Sequence, residues 1–489
     1  MSGARGRTGL ALLLLLLVVQ VPAVATAAEP LPAVFHVHSR LSTGALTLAE
    51  LLAQAERDGL GAVLLAENYL LRVEYGLPPF RALTRVVREE PSVLDHREAY
   101  AREVAAARRQ FPNMVIVPGV EVMPHYRWTG TPLTMEMTLH DTQKNILVFG
   151  IDPLDLHTLT VTGNPHARVL GAQSVIDALP VLLVVPGVLL LWRPRVRRTR
   201  LGSAVVVVRR RRWVLGGLLL AIGVIALVRG WPFTVDRYPP WRDFGIEPYQ
   251  TLIDDVEKRG GAAVWSFPEG PDAGTRSYGP VQVRWRTDAY PDDLLRSSGY
   301  TGFGAVYEQS LRFARPAEGW DRLLTQYVAG ERAQPAFGVG EAGYHSSRAG
   351  KRLRPVQTVF FVDERSPKGV LDALKRGRMY AMRNSADAAL VLSEFAVTGD
   401  GGAAGMGDTL KAAPGTPIEV RATVSSPSGS PIVRVTLVKD GKVEAAWTGR
   451  TPLEIRRPDV ASARRAYYRL DARVSASDYL VSNPVFVAP

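Results

Sequence analysis

Two histidines separated by one residue are the first side chains in this chain that could hold a metal ion. His36 and His38 close a short apolar run, Ala33–His38, that is typical of a β-strand. Residues two apart in a strand project to the same face, so both imidazoles would face one pocket. Adjacent histidines of this kind commonly ligate a metal, although two surface histidines in an ordinary strand would give the same pattern.

A carboxylate takes the corresponding place further along the chain, where Glu121 closely follows another predicted strand. The predicted elements of this region are strands at Ala33–His38, Gly61–Ala66, Met114–Val117 and Asn145–Ile151 and helices at Leu46–Asp58 and His96–Arg109. Their alternation favours a parallel α/β sheet or barrel, in which side chains at the carboxyl ends of strands form the site. His36, His38 and Glu121 occupy such ends, so we expect them to share one site.

Composition limits the ligands and partners that are available. The chain has 489 residues and no cysteine, so a metal would need His, Asp, Glu or Asn ligands. The formal net charge is +12, but nine arginines between Arg193 and Arg212, together with Arg5 and Arg7, account for nearly all of it. The excess charge is therefore local, which indicates membrane topology and no nucleic-acid surface.

The amino terminus is typical of an export signal. Arg5 and Arg7 precede an unbroken apolar run, Leu10–Val19, and small residues follow at Ala25–Ala27. This order predicts a secretory signal peptide over 1–28, with an uncleaved membrane anchor as the alternative. Either interpretation exports the domain that follows.

Two further apolar segments interrupt the α/β pattern within 170–230. Val175–Trp192 and Trp213–Val228 are slightly short for spanning helices, but each carries a tryptophan and is flanked by arginines. Two buried core helices are the alternative, which the nine arginines of loop 193–212 disfavour because a core cannot solvate them. The prediction is a transmembrane hairpin with its Arg-rich loop in the cytoplasm, so that both soluble parts lie on the periplasmic, exported side.

The α/β pattern resumes after the hairpin and then gives way to strands alone. Helices and strands alternate over 235–386, which predicts the second half of a domain whose first half is 31–165. Over 389–489 the apolar period is two, which predicts a small all-β sandwich. Its predicted strands are Leu390–Val397, Ile418–Val424, Val433–Val438, Val443–Trp447, Ala466–Val474 and Val485–Val487.

Motifs of the α/β region resemble, in order, those of the PHP (polymerase and histidinol phosphatase) superfamily. His36–Thr47 resembles the first motif, Ala62–Asn68 the second and Ile116–Glu121 the third. Gly260–Pro268 is similar to the later Gly-Gly strand, and Gly340–His345 is similar to the closing Asp-x-His motif. The resemblance spans about 31–385 without the hairpin. It implies a distorted (β/α)7 barrel that binds up to three divalent metals and hydrolyses phosphoesters.

The resemblance carries over to only part of the family's ligand set. His36, His38, Glu121 and His345 stand where the family has ligands, but five positions depart from its pattern. Thr43 stands for an Asp, Asn68 for a His, Asn145 for a His, Phe267 for the His before Pro268, and Gly343 for the Asp of Asp-x-His. His36, His38 and Glu121 are three of the family's four ligands for one metal, and two histidines with one carboxylate suffice for a catalytic zinc. The resemblance thus implies one divalent metal at most, Zn, Mn or Fe, and no two-metal chemistry.

Two functions are compatible with this partial ligand set. The favoured one is a membrane-tethered PHP-related module whose metal site is reduced or lost, and which binds a phosphorylated small molecule or an envelope ligand as a scaffold. The alternative is an active mononuclear phosphoesterase, in which His36, His38 and Glu121 hold the metal and His345 is a proton donor or phosphate contact. Gly338–Gly343 also matches G-x-G-x-x-G, but no long helix and no suitably spaced acid follow it, which argues against a dinucleotide site.

Overall fold

The computed structural model describes residues 28–489, apart from 78–79, 309–310, 348–350 and 386–388. The predicted signal peptide over 1–28 lies outside the described residues except for its last position. The elements before the apolar segments are β1 (Glu29–Val37), α1 (Leu48–Arg57), β2 (Ala62–Leu65), β3 (Glu67–Asn68), β4 (Leu71–Tyr75), α2 (Arg81–Thr84), β5 (Val86–Glu90), α3 (Arg97–Gln110), β6 (Val115–Val117), β7 (Gly119–Val122), β8 (Arg127–Thr131), β9 (Glu136–His140) and β10 (Ile146–Phe149).

The later elements fall into three groups along the chain. The apolar region contains α4 (Ala172–Ala178), α5 (Val184–Trp192), β11 (Arg195–Leu201), β12 (Ala204–Arg210) and α6 (Trp213–Gly230). The second α/β part contains α7 (Glu247–Lys258), β13 (Ala262–Trp265), β14 (Asp272–Tyr278), β15 (Val281–Thr287), α8 (Pro291–Arg296), β16 (Gly302–Val306), α9 (Gly319–Val328), β17 (Phe337–Gly340), β18 (Val356–Val362), α10 (Pro367–Arg376) and β19 (Met379–Arg383). The tail contains β20 (Val391–Gly399), β21 (Gly402–Gly405), β22 (Thr409–Lys411), β23 (Pro417–Ser425), β24 (Ile432–Lys439), β25 (Lys442–Arg450), β26 (Leu453–Val460), β27 (Ala466–Arg473), β28 (Tyr479–Ser482) and β29 (Val485–Ala488).

Two mixed sheets carry the predicted site residues. One contains the run β18-β1-β2-β6, and the other has the order β17-β16-β13-β10-β7-β3. The chain passes between them twice, because only Ala66 separates β2 from β3 and only Pro118 separates β6 from β7. Beyond β17, the amides of Ala342 and Tyr344 donate to the β1 carbonyls of Phe35 and His36. The ends of β1, β7 and β17 therefore lie close together.

Local sequence specifies the helices that cover these sheets. The first turn of α1 is closed by a capping box, in which the Thr47 hydroxyl accepts from the Glu50 amide and the Glu50 carboxylate accepts from the Thr47 amide. The buried face of α1 follows a helical period and consists of Leu48, Leu51, Leu52 and Ala55. This face packs into the same core as β1 and β2.

The expectation of an all-parallel sheet is wrong at β10. This strand pairs antiparallel with both neighbours, and Leu147 lies opposite Glu121 of β7 and Val264 of β13. Reversal places the amino-terminal end of β10 beside the carboxyl-terminal ends of β7 and β13. Asn145, immediately before β10, thereby reaches the same region as Glu121.

The apolar region forms two mutually packed helical segments joined by a ribbon. Ala172–Trp192 and Trp213–Gly230 are both long and apolar enough to cross a membrane. Pro180 lies in a 3-10 turn, Leu179–Leu183, that separates α4 from α5, since a proline cannot continue the α-helical hydrogen bonding. A Cβ on Gly187 would come within 2.6 Å of the Leu220 amide nitrogen, so a glycine is needed for this close approach.

The predicted Arg-rich loop over 193–212 is in fact mostly an antiparallel ribbon. Strands β11 and β12 pair from Arg195 and Arg210 to Leu201 and Ala204. Gly202, with φ of 62°, allows the tight turn between them.

The tail consists of strands that form two groups. The set β21-β20-β23-β26 is one sheet, and β24, β25, β27, β28 and β29 belong to the sheet that also contains β1. Apolar residues of both groups, among them Val420 and Leu437, form one shared core. Strands lie at each of the six places that the apolar alternation predicts, together with the unpredicted β21, β22, β26 and β28.

Candidate metal centre

The backbone at His36 departs from a regular strand. The register between β1 and β2 shifts between Phe35 and Val37, and His36 has a φ of 69°. A left-handed histidine is uncommon and is held here by a bulge. His36 and His38 do converge, but through this bulge and the chain end beyond β1, and not through the simple alternation on which the sequence argument was based.

Three predicted ligands lie together at the ends of β1 and β7. The Nε2 atoms of His36 and His38 are 3.1 Å apart. Glu121 Oε1 is 3.4 Å from His36 Nε2, and Glu121 Oε2 is 3.5 Å from His38 Nε2. All three side chains are buried, and among the described residues they form the group of His, Asp and Glu side chains whose ligand atoms are close enough to share one ion.

These separations fit a single divalent ion. Two nitrogen or oxygen ligands at about 2.0–2.1 Å from a tetrahedral ion lie about 3.3 Å apart. The two histidine nitrogens are 3.1 Å apart, close to this value, and they lie 3.4 and 3.5 Å from the two different oxygens of Glu121. The donor set therefore fits one zinc-like ion with one further coordination position to fill.

Glu341 orients His36 from behind. Its Oε2 lies 3.1 Å from His36 Nδ1 and accepts a hydrogen bond from the Ser266 hydroxyl at 2.9 Å. A carboxylate on the second ring nitrogen fixes a histidine tautomer so that Nε2 presents its lone pair to a metal. Glu341 is fully buried, and its Oε1 lies where a side chain on Gly304 would have to be.

The electrostatics of the group show strong coupling between the ligands. Burial disfavours the imidazolium of His36, but Glu121 and then Glu341 outweigh burial and raise the His36 pKa to about 9. Burial likewise opposes the charge of Glu121, yet His36 and His38 hold the pKa of this carboxyl at about 2. Burial lowers the pKa of His38 well below its usual value. Metal-free, the group is thus an imidazolium–carboxylate pair beside a neutral histidine, and a bound metal would displace the His36 proton.

Two substituted positions contact each other on one side of the group. The ring of Phe267 stacks on His36 with centroids 5.1 Å apart. Gly343 has a φ of 52°, and a Cβ there would lie 2.6 Å from the Phe267 ring. Phe267 therefore fills space that an aspartate at position 343 would need, so the side chain of Phe267 and the glycine at position 343 fit one another.

The other substituted positions form hydrogen bonds around the group. Asn145 donates to Glu121 Oε1 at 2.7 Å, so the amide supports the ligand instead of binding a metal of its own. Asn68 donates to the Thr43 hydroxyl at 2.6 Å, and Thr43 lies 2.9 Å from His345 Nδ1. No carboxylate or imidazole from these positions joins the described metal group.

His345 packs on the group without belonging to it. Its ring stacks on His38 with centroids 3.9 Å apart and nearly parallel planes. Burial lowers the pKa of His345 to about 4. The ring is therefore neutral at pH 7 when no metal is bound, and its roles as a proton donor or phosphate contact stay predictions.

Sequence reasoning did not single out Glu341, Ser266 or Glu67 as site residues. Glu341 directly follows the apolar strand β17, the same signal that identified Glu121. Glu67 is buried and accepts hydrogen bonds from Ser39 and Ser42, each at 2.5 Å, which fastens the loop that follows His38. Ser266 lies at the end of β13 and shows no sequence signal of its own.

Comparison with known proteins gives remote structural similarities only. No protein-family model and no curated protein matches the chain. A solved two-domain protein containing a predicted PHP-like metal-dependent phosphoesterase, from Bacteroides vulgatus ATCC 8482, is 12% identical with a TM-score of 0.36, over 94% of this chain and 95% of that one. A predicted metal-dependent phosphoesterase from Bifidobacterium adolescentis ATCC 15703 is 14% identical with a TM-score of 0.28, over 66% and 90%.

Proposed function

We propose that this protein is a membrane-tethered, outward-facing binding module that holds one divalent metal ion in a PHP-type barrel. The observation that carries the proposal is the convergence of the buried His36, His38 and Glu121, whose ligand atoms are close enough to share one ion, with Glu341 orienting His36. The ligand expected at the metal is a phosphorylated small molecule or an envelope component.

The barrel interpretation is supported by the order of the strands. Pairing and chain continuity lead from β1 through β2–β3, β6–β7, β10, β13 and β16 to β17. Backbone bonds from Ala342 and Tyr344 to Phe35 and His36 return to β1, and His38 donates to the Tyr344 carbonyl. A ring of this kind presents the ends of several strands to one site.

The residues define how a ligand would be held. Three protein donors leave one metal position for a ligand oxygen. Lys351 donates to the Gly343 carbonyl at 2.9 Å and adds positive charge next to the group. The side chains of Phe267 and His345 cover the ligand histidines by stacking and limit the space around the metal.

Metal content tests the proposal directly. The full-length protein purified in detergent, after incubation with Zn, Mn or Fe(II) and desalting, should retain one equivalent of metal. His36→Ala and Glu121→Ala should each lose it, whereas His166→Ala, which changes an exposed histidine outside the group, should retain it. Absence of stoichiometric metal from the wild-type protein would overturn the proposal.

Phosphoester hydrolysis is the second candidate function, and the open fourth position is the observation that favours it. A divalent ion at the three ligands would act as a Lewis acid on a phosphoryl oxygen. Hydrolysis of a model phosphomonoester by the metal-loaded protein, lost in His36→Ala, would establish this activity. Metal retention without hydrolysis would leave the binding function.

A further inference from the structure

A cavity lies between the α/β part and the ends of the apolar helices. Its volume is about 430 Å3, within the usual range for small-molecule pockets. It is lined by the end of β4, the start of α2, the strand β8 and the chain that follows α6. Asp177 of α4 and Arg229 of α6 also line it, so the cavity adjoins the ends of both helical segments that could cross a membrane.

Arg81 is the central cation of this cavity. Its guanidinium carbon lies 3.1 Å from the centroid of the Trp241 ring, a close stacking arrangement. Its Nε and Nη1 atoms are buried, and no described residue accepts a hydrogen bond from them. Burial lowers the pKa of Arg81, and two buried guanidinium nitrogens without an acceptor are costly unless an anion accepts hydrogen bonds from them.

Two of the three carboxylates that line the cavity pair with an arginine other than Arg81. Glu74 and Asp236 both pair with Arg168, at 2.9 and 3.4 Å. The third, Asp177, accepts a hydrogen bond from Gln173 at 2.9 Å, and its negative charge partly offsets the effect of burial on the pKa of Arg81. Within the described part of the chain, Arg81 makes no ion pair at 4.0 Å or less with any of these acids. Among the described residues, four arginines (Arg81, Arg85, Arg168 and Arg229) and three carboxylates line the cavity, so its wall has an excess of one positive charge.

We propose that this cavity binds the phosphate headgroup of an anionic membrane lipid. A guanidinium suits phosphate oxygens because its N–H groups match their geometry. Trp231 directly follows α6, and Trp241 lies in the wall of the cavity; both rings are exposed, and tryptophans favour the membrane–water interface. Exposed apolar side chains on α6, among them Leu227 and Val228, offer a surface for the acyl chains.

The proposal rests on the membrane tethering of the proposed function but not on its metal. Its site is separate from His36, His38 and Glu121, none of which lines the cavity. Bound lipid would fix the position of the α/β part over the outer leaflet. It would also place the metal-binding module at a defined distance from the membrane surface.

Lipid binding by the full-length protein in neutral detergent tests this inference. Native mass spectrometry with added phosphatidylglycerol or phosphatidylcholine should show at least tenfold tighter binding of the anionic lipid. Arg81→Gln should weaken phosphatidylglycerol binding at least tenfold. Arg276→Gln, which alters an arginine stacked on Tyr278 outside the cavity, should leave binding unchanged. Trp241→Leu provides a second cavity variant with the same expected loss if Arg81→Gln does not fold.

Several outcomes would overturn the inference. Equal binding of the two lipids would mean that only interfacial packing operates, and unchanged binding in both cavity variants would exclude the cavity. Glycerol phosphate that competes as well as the intact lipid would assign the site to a soluble phosphate instead. Release of the protein from membranes by alkaline carbonate would contradict the membrane tethering itself. Arg81→Gln should retain its metal, because the cavity and the metal group are separate sites.

Discussion

Glu341 lies behind His36, away from the expected metal position, and its effect on the metal is therefore indirect. Replacement by glutamine keeps an oxygen that accepts from His36 Nδ1 but removes the negative charge that makes the ring a better donor. We expect Glu341→Gln to weaken zinc binding about 10-fold or more while the fold persists. Competition with a zinc chelator on the purified full-length protein would measure this loss.

A matched control separates this effect from general charge removal. Glu136 is exposed on β9 and does not contact the metal group, so Glu136→Gln should leave zinc affinity unchanged. Equal zinc affinity in Glu341→Gln and the wild-type protein would show that Glu341 serves packing alone.

The contact between Phe267 and position 343 leads to a second expectation. A Cβ at position 343 would meet the Phe267 ring at 2.6 Å, so Gly343→Asp alone should destabilise the protein. Phe267→Ala should relieve the clash, and the two changes should couple by about 0.5–3 kcal/mol. Melting temperatures of the wild type, both single variants and the double variant would give the coupling. Additive shifts would contradict the compensating fit.

The sequence could identify the ligand types at this site, but not the backbone conformation and the neighbouring residues that position them. The His36 and His38 spacing, together with Glu121 after a strand, predicted a shared site, and the three side chains lie together. The bulge and left-handed backbone at His36 could not be foreseen, because they depend on β2 and on the residues beyond β17. Glu341 contacts His36 across 305 positions of sequence, a pairing that no local pattern specifies.

Helices and strands were predictable where local sequence specifies them. They were less predictable where the pairing between distant strands determines the structure. Local sequence patterns located α1 and α3 to within about two residues, in keeping with the uncertainty of helix ends. The predicted direction of β10 was wrong, because a buried apolar strand has the same sequence pattern whether it pairs parallel or antiparallel with its neighbours. The ribbons β4–β5 and β11–β12 also escaped prediction, since none of their strands has a buried face that would give an alternating apolar period.

Sidedness of the β11–β12 ribbon is testable because the chain has no native cysteine. Ser203 is exposed at the ribbon turn, so Ser203→Cys should react with a membrane-impermeant maleimide only after the cells are opened. The expected cause is retention of the arginine-rich ribbon on the cytoplasmic side.

Exposed positions on the α/β part and the tail should be labelled from the other side of the membrane. Ser277→Cys on β14 and Ser462→Cys before β27 should react once the outer envelope is permeable and the inner membrane intact. Labelling of Ser203→Cys under those conditions would contradict the proposed topology.

The tail and the α/β part are continuous in the whole molecule. Strand β28 of the tail pairs with β19, so one sheet runs from the tail to β1. The Asn483 amide accepts from the Gly338 amide at 2.8 Å and donates to the Gly338 carbonyl at 3.0 Å, which attaches the tail to β17. Because β17 leads to Glu341, the tail supports the strand that positions the orienting carboxylate.

A buried ion pair joins the same two parts. Arg469 of β27 donates to both Asp321 oxygens, at 2.6 and 2.5 Å, and Tyr467 also donates to Asp321. Both partners of the ion pair are almost fully buried. Removing one partner would leave an uncompensated buried charge, which costs about 3–5 kcal/mol.

Asp321→Asn should therefore lower the melting temperature of the whole protein and increase proteolysis between the α/β part and the tail. The double variant Asp321→Leu/Arg469→Met should recover most of that loss, because paired apolar replacements avoid the desolvation of two charges. Asp372→Asn is the matched control, since it breaks an exposed pair with Lys368 and should change melting little. Calorimetry and limited proteolysis of the four proteins would decide the matter. If Asp321→Asn melts like Asp372→Asn, the ion pair does not couple the tail to the α/β part, and the shared sheet with Asn483 must do so alone.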